Sequence, residues 1–177
     1  MASLSTHYEA YKVKYSLAMQ DPEETETRYH TVIFIVTNDN GDGYIHHVTG
    51  DIKVGMKYMS KQGKRPESSQ TFHIKEFLGL VQKSKYPEEV DRVCESVPPP
   101  HAQKRFNSLT MQYEQIKPDG SFYNPGEPRP RYFKCTEWTE TKAIPALFQA
   151  GVLEEGAPLR KLQSHLQSPT AYSPTLC

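Results

Sequence analysis

Residues 29–37 read YHTVIFIVT, the most hydrophobic stretch of the chain. The run is rich in β-branched residues, which fit a pleated surface, and it predicts a central strand. Upstream, Tyr8, Tyr11, Val13, Tyr15 and Leu17 nearly keep a period of two, which predicts a strand within 8–19. NDNGDG follows the central run and is a strong turn signal, because Asn and Asp tolerate left-handed backbone and Gly favours it. YIHHVTGDI then reads as the partner strand of a hairpin. GMKYMSK continues that strand or adds a short one, and KQGKRPESSQ reads as a polar loop. The mixed segment 71–82 is read as a strand.

Two helices are predicted. In YPEEVDRVCESV, Pro87 suits a first turn, Glu88 and Glu89 suit the positive end, and Val90, Val93, Cys94 and Val97 fall on one face. The second helix starts near Cys135, with Trp138, Ile144, Leu147 and Phe148 as apolar anchors. Pro145 conflicts with a continuous helix, so a bend is expected, with a second helical piece ending at Gly151. Between the helices, 116–131 carries four prolines and two glycines and reads as a long loop. It directly precedes Cys135, in the place of a lid over a site there. The expected architecture is α+β, an antiparallel sheet packed against helices. Residues 1–158 form one domain and 159–177 a flexible tail.

Composition narrows the function classes. The chain has 177 residues, 21 basic and 21 acidic, so no net charge draws it to nucleic acid. The first residues lack the basic-then-apolar layout of a signal peptide, and no apolar run approaches the roughly 18 residues of a span. A cytoplasmic protein with no membrane span is expected, and oligomeric state is left open. The three cysteines, Cys94, Cys135 and Cys177, are an odd number without regular spacing, which argues against a disulfide framework.

Cys135 carries the candidate chemistry. A cysteine at a helix start meets unpaired N–H groups and the positive end of the helix dipole, which favour thiolate and stabilise an oxyanion. The more common role of such a cysteine is a small buried hydrophobe. A base must come from elsewhere, and His30, His46 and His47 lie on the two strands of the predicted hairpin. Adjacent strand residues face opposite ways, so only one of His46 and His47 shares a face with His30. The sequence does not say which. The same divergence makes the pair a weak zinc signal, and no metal or cofactor is expected.

The order of these pieces, YHTVIFIV, a Gly-containing turn, YIHHVTG and a late KCTEW opening a helix, resembles the circularly permuted branch of the NlpC/P60 papain-like superfamily. Lecithin:retinol acyltransferase and related small acyltransferases belong to that branch. More closely, residues 29 to 153 resemble a family of small fungal proteins with no established activity. The resemblance implies a permuted papain-like fold with Cys135 as nucleophile, His30 as base and His47 as second polar residue, His46 being the alternative. It also directs attention to His46, Trp138 and Lys134 as substrate-binding residues. The implied function is a small thiol-dependent enzyme acting on an acyl, amide or ester carbonyl of a small molecule, in fungal specialised metabolism. The other expectation is a non-catalytic binding module on the same fold.

Overall fold

The computed structural model describes residues 5–20 and 24–159. Strands β1 (His7–Ser16), β2 (Tyr29–Val36), β3 (Gly43–Asp51), β4 (Gly55–Gly63), β5 (Phe72–Gln82) and β8 (Leu153–Glu154) form one sheet in the order β4-β3-β2-β1-β5-β8. Every neighbouring pair is antiparallel. Helix α1 (Glu88–Ser96) follows β5, and β6 (Lys104–Asn107) pairs with β7 (Gln112–Gln115) in a separate ribbon. Helices α2 (Cys135–Trp138) and α3 (Ile144–Gln149) are joined by a π turn over Thr139–Ala143. The architecture is mixed α and β, an antiparallel curled sheet with few helices.

β2 is apolar from Val32 to Val36 because both of its faces are covered there. Ile33 and Ile35 face the helices and pack with Ala10, Val48, Val81, Val90, Val93, Trp138 and Leu147. Val32 and Phe34 face the other way, where the sheet closes over them with Val13, Tyr11, Tyr15, Ile45 and Phe72. This two-sided burial defeats simple alternation and explains why the strand reads as one continuous run.

Pro145 is accommodated as a change of hydrogen-bond register. The wide π turn precedes it, and Pro145 takes an opening position of α3, where its missing N–H costs nothing. The helical segment ends at Gly151, which adopts φ 65°.

Three pieces differ from the sequence reading. β4 is a full strand reaching Gly63, so the loop begins later than its polar composition suggested. It is a half-exposed edge strand, where polar residues are permitted. The β6–β7 ribbon and the two-residue β8 were not anticipated, being short and weakly patterned. The tail assigned to 159–177 lies outside the described residues from 160 onward.

The hairpin depends on close backbone approach at Gly43, where a Cβ would overlap the carbonyl oxygen of Ile35. Gly43→Ala is expected to destabilise the protein by roughly 1–3 kcal/mol, the usual cost of forcing atoms into a packed site. Urea denaturation checks this; an unchanged midpoint would show that the hairpin yields freely.

Candidate functional site

β2 and β3 part company before they end. Their ladder runs from Val36↔Gly43 only to Ile33↔His46, although β2 begins at Tyr29 and β3 continues to Asp51. The start of the second helical segment occupies the resulting fork. Thr136 Oγ1 donates to the Tyr29 carbonyl at 3.2 Å, Cys135 Sγ donates to the same oxygen at 3.7 Å, and Thr139 Oγ1 donates to the Thr31 carbonyl at 3.2 Å. Thr31 and Thr136 hydroxyls meet at 2.8 Å. Side chains of the helix thus satisfy β2 carbonyls that β3 leaves unpaired.

The chain entering the helix is fastened residue by residue. Arg28, buried, donates through Nη1 to Glu137 Oε1 at 2.6 Å and through Nη2 to Oε2 at 3.2 Å, and Nη2 also reaches the Tyr132 carbonyl at 3.2 Å. Gln103 pairs reciprocally with Phe133, accepting its N–H at 2.7 Å and donating to its carbonyl at 2.7 Å. Glu137 Oε2 accepts the Lys134 N–H at 2.8 Å, which caps the helix. Burial would raise the Glu137 carboxyl, yet hydrogen bonds from Arg28 and the Lys134 backbone hold it below its ordinary value.

A cavity of about 370 Å³ opens in the fork. Cys135, His30, Arg28 and Lys134 line it beside Thr49 and Met56. His30 also lines a second cavity of about 360 Å³, together with His47 and Lys61. The two imidazoles bond, His30 Nε2 to His47 Nδ1, at 2.8 Å. Continuing the β2–β3 register sets His47 across from Val32, so His30 is its diagonal neighbour on the same face. His47 is the member of the pair that shares His30's face.

Burial pushes the His47 imidazole down to about 4, helped by neighbouring His30 and Lys61. His30 is lowered for the same reasons, burial first and Lys61 second. Both rings are therefore neutral near pH 7, one donating and the other accepting in the bond between them.

Not every expected residue joins the site. His46 points to the opposite face and is fully buried, bonded to Tyr58 Oη at 2.7 Å and Tyr86 Oη at 3.1 Å. Tyr58 in turn donates to Asp91 at 2.6 Å, which anchors α1 to the sheet. Trp138 is fully buried in the core beneath the helices. The expectation that His46 and Trp138 bind substrate is corrected on this ground: both are sealed behind packed side chains. Lys134 does line the cavity and forms an ion pair with Glu24 at 3.0 Å. None of 116–131 lines it, so that loop is no lid in this conformation. Cys135 Sγ bonds the Tyr29 carbonyl, and among the described residues no bond joins it to an imidazole.

Arg28, Glu137 and Gln103 were missed. Glu137 stands two residues after Cys135, where a capping role is readable, but partners 109 residues apart for Arg28 and Glu137, and 30 apart for Gln103 and Phe133, carry no local signal. Among the described residues, no group of three or more His, Cys, Asp or Glu is placed to hold a metal ion. No described helix is long and apolar enough to cross a membrane.

Residues 17–154 match a family of unknown function, DUF6540. The chain belongs to that family. The match runs from the end of β1 to β8 and takes in the fork, both histidines and the cysteine. No curated protein and no solved structure matches the chain.

Two outcomes follow from this geometry. Glu137→Gln removes one of the two carboxylates paired with Arg28, Glu24 remaining at 3.3 Å, and is expected to cost roughly 1–3 kcal/mol, with loss of protection at the Lys134 and Trp138 amides in hydrogen exchange. Unchanged stability would show the pair to be incidental. Because the folded imidazoles sit below the unfolded value of 6.5, unfolding takes up protons as pH falls from there towards about 4. Stability should decline over that window, and a His30→Gln/His47→Gln protein should show a flatter profile in thermal unfolding.

Proposed function

We propose that the protein is a small cytoplasmic thiol-dependent enzyme that acts on an acyl, amide or ester carbonyl of a small molecule. One observation carries this reading: Cys135, at the start of a helical segment, and His30, anchored through Nε2 by His47, line the same cavity. The commitment of Nε2 leaves Nδ1 as the nitrogen of His30 for proton exchange with the sulfur. In the competent tautomer His30 Nε2–H donates to His47 Nδ1, so Nδ1 is unprotonated and acts as the base. His47 is then a positioning residue.

Sγ attacks the carbonyl carbon while its proton passes to His30 Nδ1. The oxyanion meets the N–H groups of the first helical turn, which have no intrahelical partners. The tetrahedral species collapses, the leaving group takes the proton from His30, and an acyl-enzyme remains on Cys135. Water, an amine or an alcohol then releases the acyl group, giving hydrolysis, transfer or, from within the same molecule, cyclisation. A cysteine late in sequence on a helix start beside a histidine-bearing strand is also what supports a permuted NlpC/P60-like fold.

A non-catalytic binding module on the same framework is the second reading. It is favoured by the bond from Sγ to the Tyr29 carbonyl rather than to an imidazole.

Chemistry separates the two. With p-nitrophenyl acetate the enzyme reading expects a burst and an acyl adduct mapped to Cys135 by mass spectrometry. His30→Gln should slow acylation by roughly 10²–10⁴-fold. Iodoacetamide should alkylate Cys135 much faster than Cys94, which is buried with its thiol pushed up to about 12, and His30→Gln should slow alkylation of Cys135 itself. Full turnover by Cys135→Ala, or alkylation indifferent to His30, leaves the binding module standing.

A further inference from the structure

The second cavity, on the far side of the histidine pair, has a distinctive chemistry. Its polar lining consists of Tyr15, Ser16, Thr71, Lys61, His30 and His47, and among the described residues no carboxylate lines it. The Lys61 ammonium is exposed and has no acidic partner among the described residues. Glu67, whose charge is felt by Tyr15, is itself paired with Lys75 at 3.0 Å. His47 is 5% exposed, and its Nε2 is buried with no hydrogen-bond partner. When His30 Nε2–H donates to His47 Nδ1, that Nε2 carries a hydrogen and is an orphan donor, a costly arrangement unless a ligand accepts from it. The rest of the wall is apolar, supplied by Leu17, Ala18, Val32 and Ile45.

We infer that this cavity binds the carboxylate of a small amphipathic acid, with Lys61 supplying the charge, His47 a hydrogen bond, and the apolar wall the body of the molecule. The charge balance selects the anion. His47 is neutral, so Lys61 contributes the one formal positive charge among the lining residues, which matches a carboxylate and undercompensates a phosphate dianion. The volume, about 360 Å³, is that of a small-molecule site. His30 and Leu17 line this cavity and the one at Cys135 alike. On the thiol-enzyme reading, a ligand held by its carboxylate at Lys61 presents its remaining length past His30 toward the sulfur. The substrate class becomes an acyl compound whose carboxylate is remote from the reacting carbonyl. The carboxylate site itself stands without that reading.

The test titrates the full chain with hexanoate, hexanamide and inorganic phosphate, by calorimetry and by imidazole NMR. Hexanoate should bind and shift the His47 ring signals, with hexanamide and phosphate each at least tenfold weaker. Lys61→Met should lose at least tenfold for hexanoate while keeping its thermal midpoint, and Lys61→Arg should restore most of it. Cys135→Ala should bind hexanoate as the parent does, so failure of the thiol chemistry leaves this result intact. Equal binding of acid and amide, tighter phosphate, or indifference to Lys61→Met each overturns the inference.

Discussion

The bidentate pairing of Arg28 with Glu137 joins residues 109 positions apart and fixes where the second helical segment meets the sheet. Arg28 stands immediately before β2, and Glu137 lies in the first turn of α2. Through them the sulfur of Cys135 is brought to the carbonyl of Tyr29, one residue from His30. A largely buried pair of this kind contributes little net stability against an apolar substitute, but it tolerates no alternative register. Its effect is on placement.

The sheet complements that clamp by being incomplete. Had β3 stayed paired to β2 as far as Tyr29, its backbone would have taken the carbonyls that Thr136 and Thr139 now occupy, and no cavity would form. The fork is thus both the docking point of the helix and the opening that Cys135 and His30 both line. The reciprocal bonds between Gln103 and Phe133 imitate strand pairing just ahead of the helix and remove the freedom of the chain that delivers the cysteine.

Much of this was legible in the sequence. The central strand, the hairpin, the α1 face and the proline-marked change in the second helical segment follow from local pattern, because burial and turn chemistry act within a few residues. What local pattern could not supply was parity. His46 and His47 are chemically identical neighbours, and only the turn, with its one-residue consequences for facing, decides that His47 meets His30 while His46 meets Tyr58 and Tyr86. Trp138 drew attention through the family resemblance, and its apolar bulk, already read as a helix anchor, packs it into the core instead. The Arg28 clamp and the orphaned nitrogen of His47 are products of tertiary assembly, and no spacing rule encodes them.

The polar make-up of β4 has a bearing beyond the site. A six-stranded open sheet ends in two rows of backbone groups to which a foreign strand can add. At one end Lys57 and Lys61 stand exposed along β4, and the Met56 amide is already engaged by the Pro100 carbonyl at 2.7 Å. At the other end β8 spans only Leu153–Glu154, too short a template for annealing. The same lysine that leaves one cavity wall electropositive therefore helps keep neighbouring molecules from zipping onto the sheet.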